Sequence, residues 1–242
     1  MPYYGYYFNG YYSLDPSYLL VLIGGVICII ASVWVNAAMK KYNGIQNARG
    51  ITGAEAAERI LMDAGIYDVR VECLPKGGGD HYDPRSKTVR LSYENYNYTT
   101  VTAVAVAAHE CGHACQHHEN YMPLSLRTSM VPVVNLASKW AIPLIVIGVI
   151  VLNSNPIFIQ VGIWAFLLAV LFQLVTLPVE FNASRRAMAV LERNGLLGMQ
   201  EQQGARKVLT AAAMTYVAAA AYSVFELLRL ILQFGGGSRK RD

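Results

Sequence analysis

Residues 18–39, YLLVLIGGVICIIASVWVNAAM, carry no charged side chain. No other feature of the chain restricts its fold as strongly. A helix needs about 20 apolar residues to cross the hydrocarbon core of a bilayer, and this stretch supplies them. Lys40 and Lys41 follow at once, while the preceding MPYYGYYFNGYYSLDPS holds neither Lys nor Arg. Basic residues favour the cytoplasmic side, so residue 40 is expected inside and the N-terminus outside. The leader lacks the basic start of a cleavable signal peptide, which makes residues 18–39 a signal-anchor type of span. Its tyrosines suit a flexible segment touching the headgroup layer or, equally, a disordered tail.

Further apolar segments extend the pattern. The run 131–153 is interrupted by Pro132, Lys139 and Pro143 and reads as a second span with an irregular start. The uncharged loop 153–156 suits the outer side. Residues 157–179 form a third span that emerges at Glu180, with Arg185 and Arg186 keeping that end inside. Residues 207–233 are Ala-rich and include Glu226 and Arg229. They read as a fourth membrane-embedded helix, with a helix that packs without crossing as the alternative. The composition agrees: 54% of residues are hydrophobic and 15% charged, against about 25% charged in an ordinary soluble domain. The net charge of +4 sits beside apolar runs and not along a stripe interleaved with aromatics, so nucleic-acid binding is excluded.

Residues 40–128 read as a water-facing segment. In GITGAEAAERILMDAGI, Thr52 and Glu55 have capping-box spacing, the apolar positions recur at helical intervals, and Gly65 closes the helix. VRVECL and TVRLSY alternate like strands. The turn-rich PKGGGDHYDPRSK lies between them, so the pair is expected to form a small hairpin or meander. The segment from Thr99 to His109 is apolar on nearly all sides yet too short to span, which makes it a buried helix.

That helix carries the chemistry. His109-Glu110-Cys111-Gly112-His113 is an HExxH pentapeptide. Four residues make just over one turn, so both imidazoles project from one face and can grip one ion, with Glu110 within reach of a water there. Two imidazoles and a carboxylate on an apolar helix are costly unless something satisfies them, and a metal does so. The bland alternative is a hydrogen-bonded core pair. His117 lies about 12 Å from His109 along a straight helix, too far to share that ion, and with His118 reads as a polar helix end. Cys111 and Cys115 could in principle ligate zinc but suit small apolar fillers in a reducing compartment.

A zinc site of this kind needs a third protein ligand and keeps a fourth position open. The extended metzincin signature would require glycine at 116 and histidine at 119, where the chain has Gln116 and Glu119. The aspartate segment of site-two proteases is also missing. PVEFNASRRA offers Glu180 at a membrane helix end, where an unpaired carboxylate calls for a partner; a salt bridge to Arg185 or Arg186 is the alternative.

The ordered set DHYDPRSKTVRLS, AVAAHECGHACQH, TLPVEFNASRRA and GARKVLTAAAMTYVAAA, with the helix GITGAEAAERIL, resembles the YugP-type membrane zinc metallopeptidases from about residue 50 to 233. It is more distantly similar to HtpX and the CAAX prenyl proteases. The resemblance implies that His109, His113 and Glu180 hold one zinc ion and that Glu110 is the catalytic base. Those more distant relatives place an aspartate four residues after the glutamate, where this chain has Ser184, so Asn182 is the expected substitute partner of a zinc histidine.

The expected fold class is mainly α: three or four membrane helices plus a small cytoplasmic α/β zincin-like element with HExxH on a buried helix. The expected organisation is a leader (1–17), a first span (18–39), a protease segment (40–128), two spans (129–179), a third-ligand segment (180–206), an apolar helix (207–233) and a basic tail (234–242). The expected function is zinc-dependent hydrolysis of peptide bonds in membrane or membrane-proximal proteins at the cytoplasmic border. The bilayer and protein or peptide substrates are the partners, and a homo-oligomer or a regulatory membrane partner is left open. TVRLSY is a candidate edge for an extended peptide, and His81, Tyr82, Asn182 and Arg186 are candidate oxyanion donors. A zinc-binding scaffold or sensor shares the ligands without needing Glu110. A transporter is disfavoured by few spans and a sizeable water-facing segment.

Overall fold

The computed structural model describes residues 6–8, 11–13, 15–75, 77–151 and 155–234. The basic tail expected at 234–242 therefore lies outside the described residues beyond Phe234, as do residues 153 and 154 of the outer loop. In the leader, β1 (Tyr6–Phe8) and β2 (Tyr11–Ser13) pair antiparallel, Tyr7 opposite Tyr12.

Among the described residues, four helices are long and apolar enough to cross a membrane. They are α1 (Tyr18–Asn43), α5 (Met122–Val146, continuing as a π-helical turn Ile147–Val151), α6 (Pro156–Arg193) and α7 (Met199–Phe234). Their most apolar windows have mean hydropathies of 2.6, 1.9, 2.3 and 1.6. The last helix thus qualifies by length and composition, as the stronger of the two sequence readings expects. α5 starts well before the apolar run, and Pro132 and Pro143 lie inside it. Proline is tolerated in such helices where neighbouring hydroxyls and local widening compensate the backbone. Beside them the hydroxyls of Thr128 and Ser138 bond the carbonyls of Leu124 and Val134, one turn back, and not the Thr128 and Lys139 carbonyls that the prolines leave without an amide donor. α6 likewise does not stop at Glu180 but continues through Pro178 to Arg193.

The described chain divides into two compact units. One comprises residues 1–30, 130–174 and 217–242, and beyond the β1–β2 pair its described residues are mostly apolar helix. Its helices approach at glycines: a Cβ on Gly162 would lie 2.7 Å from the Ala141 carbonyl oxygen, and one on Gly24 3.1 Å from the Tyr222 backbone. Several polar groups there find partners within the unit. Arg229 bonds Glu226 and stacks 5.1 Å over Tyr18, and Gln173 donates to Ser223 at 2.9 Å.

The other unit comprises residues 31–129 and 175–216 and holds all the expected site residues. It opens with the end of α1 and continues into α2 (Gly53–Asp63), capped as its sequence predicts: Thr52 accepts from the Glu55 amide and the Glu55 carboxylate accepts from the Thr52 amide. Gly65, at φ +71°, takes the left-handed conformation that lets the chain turn away. α4 (Val101–His118) is capped by Thr100 and buried along nearly its whole length. Its alanines and valines are small enough for neighbours to pack on every side. Ala56, Ala57 and Ile60 of α2, Leu191 of α6 and Val208 of α7 join it in one apolar core.

The sheet differs from the expected hairpin. β3 (Arg70–Cys73), β4 (His81–Asp83) and β5 (Thr88–Leu91) are ordered β3-β5-β4, with β3 parallel and β4 antiparallel to β5. The DHYDP segment, which reads as turn, is itself a strand and occupies one side of β5. β3 takes the other side in register Val71 to Val89. β5 is consequently central and buried, which removes TVRLSY as a free edge. A short helix α3 (Tyr93–Asn97), capped by Ser92, leads into α4.

Candidate metal centre

His109 and His113 stand one turn apart on α4, their rings 4.8 Å apart and nearly perpendicular. Glu180 comes to them from α6, 2% exposed. Its Oε2 lies 3.2 Å from His109 Nε2 and 3.6 Å from His113 Nε2, and one donor atom from each residue falls within 4.8 Å of the other two. Its other oxygen, Oε1, faces Arg127 Nη2 at 3.6 Å. The carboxylate thus presents one oxygen to the imidazoles and the other to a guanidinium. The expected alternative, a bridge from Glu180 to Arg185 or Arg186, is not what forms. Arg186 instead clamps Glu119 with both Nη atoms, at 2.6 and 2.7 Å.

The donor set fits zinc. Tetrahedral zinc with bonds of about 2.0–2.2 Å to nitrogen and oxygen sets neighbouring donors about 3.3–3.5 Å apart. The two glutamate–histidine distances, 3.2 and 3.6 Å, bracket that range, and all three donors lie within 4.8 Å of one another.

Why α6 can come so close is visible at Gly112, the fourth residue of the pentapeptide. A Cβ there would sit 2.6 Å from the Ala183 carbonyl oxygen. Glycine therefore lets the two helix backbones touch between the histidines and the glutamate. Ser184, one turn beyond Glu180, brings its Oγ to 3.2 Å from His109 Nδ1. The expected substitute, Asn182, does not contact a histidine; its Oδ1 accepts from Gln116 and Arg186, and Gln116 meets His113 Nδ1 at 3.0 Å.

The cluster opens on a cavity of about 190 Å³ whose lining includes His109, Glu110, Glu180, Ser184 and Asp80, with Val208, Leu209 and Ala212 making an apolar wall. Glu110, 7% exposed, lines this space. Tyr216 also borders it.

The remaining candidates sit elsewhere. His117 bonds the Tyr82 hydroxyl at 2.8 Å, and His118 is exposed at the helix end. Burial pushes the Tyr82 phenol up to about 12. Cys111 and Cys115 are free and buried. Burial raises both thiols, Cys111 strongly, and so disfavours the thiolate that a metal needs. His81 turns to the Gly79 carbonyl. Sequence reasoning missed Arg127, Tyr216 and the role of Gln116.

The fold and site define a class: a protein of membrane-type helices in which two histidines of an HExxH helix and a glutamate of α6 form a group that could hold a metal ion. A family model described as "Putative neutral zinc metallopeptidase" matches residues 17–235. The chain is 48% identical over 203 residues to "Putative membrane protease YugP" of Bacillus subtilis (strain 168), covering 84% of this chain and 89% of that protein. This chain belongs to that neutral zinc metallopeptidase family and is a zinc metallopeptidase. No solved structure matches it.

Proposed function

We propose that this zinc metallopeptidase is an endopeptidase of the cytoplasmic membrane border, cutting membrane or membrane-proximal proteins, with one zinc ion held by His109, His113 and Glu180. The observation that carries the reading is the gathering of those three donors within 4.8 Å of one another, with Glu110 lining the same cavity. When bound, zinc supplies Lewis acidity and brings the pKa of a coordinated water to about 7.

Glu110 is the group that moves the proton. Its carboxylate takes a proton from the water attacking the scissile carbonyl and passes it to the leaving amine nitrogen. Glu180 directs one oxygen at the imidazoles because Arg127 holds the other. Tyr216 is the donor best placed for the developing oxyanion, whereas Tyr82, Asn182 and Arg186 are committed to partners. The substrate strand belongs beside β4: Asp80, which immediately precedes it, lines the cavity, and β5 is already paired on both sides. Main-chain pairing of that kind asks little of side chains.

Sidedness follows from charge. Lys40 and Lys41 end α1, and Arg185 and Arg186 follow Glu180, so residues 40–128 and 180–206 belong on the cytoplasmic side with the N-terminus outside.

The test is purified full-length protein against Glu110→Gln, with zinc measured per chain and casein as substrate. Equal zinc with a loss of cleavage of about 10²–10⁴-fold is expected. Undiminished cleavage by Glu110→Gln would overturn the assignment.

A further inference from the structure

Gln116 lies one turn beyond His113 and has no exposed surface. A side-chain amide has two donor hydrogens on nitrogen and only acceptor capacity on oxygen. Gln116 Nε2 lies 2.8 Å from the Val179 main-chain carbonyl and 2.9 Å from Asn182 Oδ1. The backbone carbonyl cannot donate, so the amide cannot be turned the other way. Its Oε1 must then face His113 Nδ1, at 3.0 Å, and His113 Nδ1 must carry the hydrogen. A neutral imidazole with hydrogen on Nδ1 has its lone pair on Nε2, the atom that faces Glu180 Oε2 at 3.6 Å. Two acceptors pointed at each other in a buried place need a proton or a metal ion between them.

The direction of each bond is fixed further out as well. Asn182 Oδ1 also accepts from Arg186 Nε at 2.8 Å. A guanidinium only donates, so the Asn182 oxygen cannot swap with its nitrogen. Arg186 is in turn held by the two-point clamp on Glu119, whose side chain is 55% exposed. The carboxyl of Glu119 is held below its ordinary value by that guanidinium. A chain of forced polarity thus runs from a rim ion pair through Arg186, Asn182 and Gln116 to His113. The other imidazole has no such constraint. His109 Nδ1 meets the Ser184 hydroxyl, which donates or accepts equally well.

We propose that Gln116 is a positioning residue that presets His113 as the Nδ1-protonated tautomer, and that the Asn182–Arg186–Glu119 chain holds Gln116 in that orientation. The inference rests on His113 being a zinc ligand. Partners of this kind change metal affinity by about 10–100-fold. The effect here is asymmetric: the His113 side is set in advance, and the His109 side adapts to the ion.

The experiment measures the zinc dissociation constant of full-length protein in nanodiscs by competition with a chelator, for wild type, Gln116→Met, Ser184→Ala, Arg186→Lys and His113→Ala. Gln116→Met is expected to bind zinc about 10–100-fold more weakly, with Ser184→Ala affected several-fold less. Imidazole nitrogen-15 spectra of histidine-labelled protein supply the readout that packing alone would not move. The wild-type His113 signal, identified by its loss in His113→Ala, should show hydrogen-bonded Nδ1–H without zinc, and that signature should vanish in Gln116→Met. Should Gln116→Met not fold, Arg186→Lys decides: weaker zinc and a shifted His113 signal support the chain, and wild-type values overturn it. Wild-type affinity and an unchanged His113 spectrum in folded Gln116→Met also overturn it. If His113→Ala itself binds zinc like wild type, it is the ligand assignment that fails.

Discussion

Gly112 shows how much a single hydrogen can decide. The Ala183 carbonyl oxygen occupies the space where any larger residue would put its Cβ, at 2.6 Å, and backbone cannot move aside as a flexible side-chain tip can. Gly112→Ala is therefore expected to push α6 away from α4, carrying Glu180 and Ser184 with it. Overpacking of this sort costs about 1–3 kcal/mol, so the variant should unfold at lower temperature. It should also bind zinc more weakly than wild type although every ligand is still present. Thermal unfolding with and without zinc checks this, and a variant with wild-type stability and affinity would refute the close-contact account. In the sequence Gly112 is simply a variable position of the pentapeptide. The histidines and Glu110 were legible because one helical turn fixes their spacing, and Glu180 because a membrane-edge carboxylate calls for a partner. Arg127 and Tyr216 were not, since nothing in their local pattern says which distant residue they will meet. Gln116 was noticed only as a residue that excluded another signature. Its meaning depends on the Val179 carbonyl, which only the fold supplies.

At the scale of elements, local rules worked where they were complete. Thr52 and Glu55 form the reciprocal cap their spacing implies, and the small apolar residues of α4 are buried as expected. They failed where a boundary depends on tertiary context. β4 has three residues, too few for alternation to show, and Asp and Pro around it read as a turn. That strand nevertheless pairs with β5 and makes it central. α6 was read as ending where the apolar run ends, but a helix can leave the bilayer without stopping. Its continuation to Arg193 places Ser184 and Arg186 one and nearly two turns beyond Glu180, so the ligand and its supporting groups share one rigid rod.

On the scale of the whole molecule, the four long helices make it a membrane protein, and the distribution of Lys and Arg supplies the proposed sidedness. The chain contains its own reporter. Cys73 is exposed, Cys111 and Cys115 are buried, and Cys28 lies within the apolar α1. A membrane-impermeant maleimide is expected to label Cys73 in inside-out vesicles and not in intact cells, with Cys73→Ser as the blank. Labelling from outside the cell would reverse the topology.

Zinc-edge X-ray absorption of the purified, zinc-loaded protein tests the central claim most directly. The account predicts a first shell of nitrogen and oxygen at about 2.0–2.2 Å with two imidazoles and no sulfur at about 2.3 Å, and loss of one oxygen ligand in Glu180→Ala. A sulfur contribution, or a shell unchanged when Glu180 is removed, would contradict it.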